Sequence, residues 1–203
     1  MDTDRATRSP GSYDSVMRVI HWTTLLLVAA VFVAVWIADP RLVGRANAAL
    51  IVQIHRSLGL TVWALTVFRL AWRWRARVPA LPADLPRMQK WAARANEALI
   101  YLLLLVQPVV GLLYSNAYGV RVDLFLLVPL PPAVARNLPL GEQLGGLHDF
   151  LGYSLLALVG AHAAAALFHH FIRQDDVLNA MLPARLRNAG RAVFALGRPK
   201  RQT

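Results

Sequence analysis

Six histidines, His21, His55, His148, His162, His169 and His170, are the side chains of this 203-residue sequence best suited to chemistry. There is no cysteine. That excludes iron–sulfur clusters, thiolate metal sites, a cysteine nucleophile and a Cys-x-x-Cys-His attachment, so any redox chemistry must use a non-covalently held cofactor. Imidazole offers a neutral metal ligand or a proton relay. His148 and His162 are separated by 14 residues. In a helix that is a rise of ~21 Å and a rotation within ~40° of a whole number of turns. The two rings therefore share one face at two depths.

The elements that must carry these rings are membrane helices. The sequence is 57% hydrophobic and 16% charged, with 22 Lys+Arg against 11 Asp+Glu and a net charge of +11. Soluble domains run near ~45–50% apolar and ~25% charged. A chain this apolar and this basic is neither disordered, nor a secreted disulfide scaffold, nor an ordinary soluble enzyme. A bilayer core takes ~20 apolar residues per helix, and four segments qualify: Val19 to Ala38, Ala48 to Trp72, Ala98 to Ser115 and Leu147 to Ile172. Asp39-Pro40 stops the first. RWRAR at 73–77, followed by Pro79, Pro82 and Pro86, stops the second. Pro108 lies inside the third, where a kink is expected. The Pro- and Gly-rich stretch 119–146 reads as an ordered loop or interfacial segment. The sequence thus predicts an all-α membrane protein: a polar tail at 1–14, a four-helix transmembrane bundle at 15–174 and a basic tail at 175–203. The tail at the start is too polar for a signal peptide, so the first helix reads as an uncleaved anchor.

Lysine and arginine set the orientation. Seventeen fall on the side of the two termini and the connection counted from Arg69 to Arg94, and five, Arg41, Arg45, Arg56, Arg121 and Arg136, on the other. The positive-inside rule puts both termini in the cytoplasm. The basic excess is then a topology signal, and nucleic acid is not needed to explain it.

With that orientation His55 and His148 lie level near the outer surface, and His162 lies deeper, near the level of His21. Two stacked imidazole pairs are what two low-spin haems would require of a helix-bundle core. Leu155 and Val159 on the same stripe would pack between the macrocycles. Gly59 and Gly152, each four residues after a histidine, would leave room for a flat ring. Each histidine could instead be hydrogen-bonded to a neighbouring helix, but four at matched depths would each need its own partner. Gln107 and Tyr114 read as packing or hydrogen-bonding residues of the third helix. Gly59, Gly111, Gly152 and Gly160 can equally be helix-packing glycines, and the six tryptophans fit aromatic belts. His169 and His170, near Arg173, Asp175 and Asp176, read as solvated interfacial residues, with proton delivery or contact with a quinone head group as the alternative. A metal-ion permease using His162, His169, His170, Asp175 and Asp176 is a further reading.

VIHW at 19–22, IHRSLGL at 54–60, FRLAWR at 68–73 and above all LHDFLGYSLLALVGAHAAAALFHHFIRQDDVLNAML at 147–182 resemble the bacterial cytochrome b561 family. The resemblance covers most of residues 13–183. It implies a four-helix inner-membrane protein with two haem b groups, axial ligands His21, His55, His148 and His162, and pairing of His21 with His162 and His55 with His148. It also implies electron exchange with ubiquinone and, in one branch, oxidation of superoxide. The related alternative is a cytochrome b subunit that anchors a soluble hydrogenase or dehydrogenase and accepts its electrons. Membrane lipid, quinone and a soluble redox partner are the partners so implied; oligomeric state is not legible. Arg56, beside His55, could attract an anionic donor or pair with a haem propionate or lipid phosphate. Global steering is weak, because Asp39, Asp123, Glu142 and Asp149 nearly balance the outer basic residues. Beyond Pro183, Leu186, Val193 and Leu196 among Arg185, Arg187 and Arg191 suggest an amphipathic interfacial helix or a disordered basic tail.

Overall fold

In a computed structural model, the protein is described over residues 13–76, 79–82 and 84–182. The first helix, α1 (Ser15–Ile37), starts where the Asp14 carboxylate accepts from the Met17 amide at 2.7 Å. That bond satisfies one of the amides a helix leaves unpaired at its start. One short turn, α2 (Pro40–Val43), follows, capped by Asp39 and ended by Gly44 at φ +80°. Next come α3 (Arg45–Arg73) and α4 (Arg87–Ala117), the latter running on through Pro108. A two-stranded antiparallel hairpin, β1 (Asp123–Leu124) and β2 (Val128–Pro129), precedes α5 (Leu138–Phe168), which closes in a π-helical turn, His169–Arg173. Among the described residues four helices are long and apolar enough to cross a membrane.

Two boundaries differ from the sequence reading. The third span begins at Arg87 instead of Ala98, because a basic, soluble-looking stretch continues the apolar helix beyond bilayer depth. The fourth begins at Leu138, so residues 138–146, part of the stretch that reads as loop or interfacial segment, are helix continuous with the span. Their glycines serve close packing: a Cβ on Gly141 would meet the Tyr118 ring at 2.8 Å, and one on Gly145 the Tyr114 ring at 3.0 Å. His148 therefore lies about three turns into its helix, not in the first turn.

The bundle consists of two helical hairpins. The first span packs along α3, α4 packs along α5, and α3 against α4 joins the two. The seam that α5 shares with α1 and α3 has little close backbone contact. The buried core, Val28, Val62, Leu103, Leu104 and Leu155, sits at mid-height, with Leu158 and Val159 packed against it. Val28, Val62 and Leu155 each lie seven residues from a histidine, two turns along the same face.

We call the end that carries the hairpin strands the hairpin end and the opposite one the terminal end. At the terminal end, residues 174–182 fold back as a strap over the start of α1. The Trp22 indole donates to the Met181 carbonyl at 3.0 Å, Arg18 to the Leu182 carbonyl and the Tyr13 amide to Ala180. The proposed amphipathic helix beyond Pro183 lies outside the described residues.

Candidate haem site

The four in-span histidines meet in two pairs across the open seam. At the hairpin end, His55 of α3 and His148 of α5 face each other with ring centres 6.3 Å apart. At the terminal end, His21 of α1 and His162 of α5 do the same at 6.2 Å. The helices that carry each pair have backbones too far apart to pack, so the rings reach into a gap. His162 lies exposed along it. Metal–imidazole bonds run ~2.0–2.1 Å, and a ring nitrogen lies ~1.1 Å from its ring centre, so one ion between two imidazoles holds their centres ~6.3 Å apart. Both pairs fit that spacing.

The surroundings fix the rings. His55 Nδ1 lies 2.8 Å from the Val31 carbonyl. A carbonyl only accepts, so Nδ1 carries the proton and Nε2 keeps its lone pair for a metal. His148 is wedged between the Tyr114 ring, stacked at 6.2 Å, and Gly111, where a Cβ would come within 2.8 Å of Cε1. Gln107 donates to the His148 carbonyl at 2.8 Å. A Cβ on Gly59 would meet nothing within 4 Å, so that position is open as expected. Gly152 is different: a Cβ there would meet Gln107 Nε2 at 3.1 Å, so its missing side chain admits an amide of α4. Among the described residues six buried atoms have no hydrogen-bond partner: His21 Nδ1, Thr24 Oγ1, Arg69 Nε, Tyr101 Oη, Gln107 Oε1 and His148 Nδ1.

Arg56, beside His55, is half-buried. Its Nε donates to Ser115 Oγ at 3.0 Å and its Nη1 to Gln53 Oε1 at 2.9 Å. Gln53 and the fully buried Ser57 reach the Asp123 carbonyl, and the Phe125 amide donates to Ser57 Oγ at 2.9 Å. This network ties the strand hairpin, whose Phe125 and Leu126 have positive φ, to α3 beside the His55 level.

His169 and His170 lie apart from both pairs, at the terminal end. His169 is not the solvated residue the sequence suggests. Its Nδ1 bonds the Asp175 carboxylate, and Arg173 links Asp175 to Asp84. Burial works against the Asp175 charge, but the His169, Val177 and Arg173 bonds outweigh it and hold this carboxyl below its ordinary range. Burial, and then the Glu97 carboxylate, raise the Tyr13 phenol. Among the described residues no three His, Asp or Glu side chains gather to hold a metal ion, so the permease set around His162 and His169 does not converge.

Sequence reasoning missed Arg69 and Tyr101. Arg69 was counted only as a topology charge. The available signal was its place four residues inside the end of α3, a full turn deeper than Arg73.

Residues 12–184 match the family described as prokaryotic cytochrome b561. Cytochrome b561 homolog 1 of Escherichia coli K12 is 32% identical over 169 residues, 82% of this chain and 94% of that protein. Homolog 2 of the same organism is 31% identical over 179 residues, 87% of this chain and 94% of its own. A Yersinia pestis protein named probable superoxide oxidase CybB is 28% identical over 171 residues, 84% of this chain and 96% of its own.

Proposed function

The chain belongs to the prokaryotic cytochrome b561 family, a multi-pass bacterial membrane protein with b-type haem and a part in electron transfer, and from that premise we propose a di-haem carrier that delivers electrons to ubiquinone. The observation that carries the reading is the pair of ring-to-ring distances, 6.2 and 6.3 Å, at two depths of one seam. His21 with His162 would hold one haem b, and His55 with His148 the other. A haem with two imidazole ligands has no open position, so it supplies one-electron exchange at its edge and not oxygen binding at iron.

The rest of the bundle serves that transfer. Val28, Val62, Leu104 and Leu155 form an apolar layer that excludes water between the two levels. The Val31 carbonyl holds His55 in the tautomer that leaves Nε2 available. The count of basic residues supports an orientation with the terminal end on the cytoplasmic side of the inner membrane and the hairpin end outside. Arg56, held there by two neutral acceptors, keeps a positive charge beside the outer pair. That charge suits an anionic donor, and the name of the Yersinia relative suggests superoxide. The balance is simple: two superoxide ions lose one electron each and leave as oxygen, while one quinone takes two electrons and two protons.

The test is a pyridine haemochrome assay on the purified chain, followed by superoxide-driven reduction of a short-chain ubiquinone. Two b-type haems per chain and quinol formation are the expected results. Colourless protein would end the haem reading. Quinol formation only in the presence of a co-purifying dehydrogenase would assign the chain to the subunit role.

A further inference from the structure

We propose that Arg69 and Tyr101 form a carboxylate seat for the cofactor held between His21 and His162. The proposal rests on the di-haem reading above and adds two residues to it. Two layers of polar groups lie at the terminal end of α3 and α4. In the shallower layer Arg73 has its counter-ion, with Nη1 2.6 Å from Glu97 Oε1. One turn deeper on each helix lie Arg69 and Tyr101. The Arg69 guanidinium sits over the Tyr101 ring, 5.4 Å from its centre. Its Nε and the Tyr101 hydroxyl are both shielded from solvent, and among the described residues neither has a hydrogen-bond partner.

A cation at membrane depth that, among the described residues, has an aromatic face beside it and no hydrogen-bond partner on Nε is incompletely compensated. Its contrast is Arg56, whose Nε and Nη1 are both taken by side chains of the bundle. Arg69 also lies within electrostatic reach of both His21 and His162. What would complete the layer is an anion beside that pair with two oxygens, one for the guanidinium and one for the phenol. Haem b carries carboxylates of that kind on its propionates. A quinone carbonyl is neutral and would leave the charge uncompensated.

The experiment follows haem loss from the full-length, detergent-solubilised protein to excess apomyoglobin. Two phases are expected, and the variant His21→Ala identifies the terminal-end phase by abolishing it. Arg69→Gln should accelerate that phase roughly tenfold or more and leave the other unchanged. Arg69→Lys should recover part of the loss, and Tyr101→Phe, which keeps the ring, should give a smaller acceleration. Wild-type chain loaded with haem dimethyl ester, whose carboxylates are blocked, should lose it from the terminal-end site as fast as Arg69→Gln loses haem. Arg69→Gln loaded with the ester should be no faster still. Unchanged haem loss in Arg69→Gln overturns the proposal, as do mutation and esterification effects that add in full. Unchanged loss together with a raised KM for a ubiquinone analogue reassigns the two donors to quinone. Wild-type protein without haem would remove the di-haem reading, and this proposal with it, which separates the two failures.

Discussion

At the hairpin end, the polar groups around His55 and His148 mostly answer one another. The Val31 carbonyl accepts from His55 Nδ1, Gln107 reaches the His148 backbone, Ser115 and Gln53 hold Arg56, and Ser57 pins the strand hairpin. At the terminal end, among the described residues, four buried atoms, His21 Nδ1, Thr24 Oγ1, Arg69 Nε and Tyr101 Oη, have no partner, against two at the hairpin end, Gln107 Oε1 and His148 Nδ1, and the bonds that do exist lie farther out, in the Arg73–Glu97 pair and the 174–182 strap. Buried donors left unpaired are expensive. The difference teaches that the chain satisfies one level largely by itself and leaves more donors and acceptors of the other unmet.

The strongest way to break this comparison is to remove the rings that α5 supplies to both levels. His148→Ala with His162→Ala should take haem from about two per chain to none, and each single variant to about one. Pyridine haemochrome counts this directly. If one single variant loses both groups, the levels are not independent.

Gly111→Ala attacks the hairpin level alone. Its Cβ would arrive 2.8 Å from His148 Cε1, against a ring already stacked on Tyr114. Such overpacking should cost ~2–3 kcal/mol in thermal unfolding of the loaded protein. The optical band of the hairpin-end haem should shift while that of the terminal-end haem stays put.

Ser57→Ala is smaller. It leaves the Phe125 amide without its acceptor, at a cost of ~1–2 kcal/mol, the lower part of the range because water can reach the loop. Faster amide exchange across residues 123–129, with no change at α1, is the expected signature.

The smallest effect belongs to Asp175. Its folded carboxyl titrates below the ordinary value of 3.8, so the ionised form is the one the native strap stabilises. That contribution is fully present above the unfolded pKa and disappears as pH falls through the folded one. Amide protection of 174–182 should hold from neutral pH down to about 4 and then fall. Asp175→Asn should show a few-fold faster exchange there already at neutral pH.

Much of this architecture was legible because bilayers leave a strong mark on sequence. Long apolar runs marked four spans, and the fourteen-residue interval placed His148 and His162 on one face. The start of α4 was hidden by Arg87, Lys90 and Arg94, which look like loop but continue a helix past the apolar slab. The start of α5 was hidden by Pro139, Gly141, Gly145 and Gly146. Composition reads such residues as irregular, whereas here Tyr114 and Tyr118 rest on Gly145 and Gly141. His169 was misjudged for a related reason: its partner Asp175 becomes a neighbour only because the helix loosens into a π turn and Gln174 reverses the chain. Arg69 was invisible as a candidate because sequence cannot tell a charge at the membrane rim from one folded inward over Tyr101.

Both ring pairs draw one member from α5, the last of the four helices to leave the ribosome. Neither pair can exist on a nascent chain that has inserted only α1, α3 and α4. The strap that fastens α5 to α1 is translated later still. On the di-haem reading no haem could be clasped at either depth before α5 is in place, and a product truncated before residue 148 should be pale whatever its membrane yield.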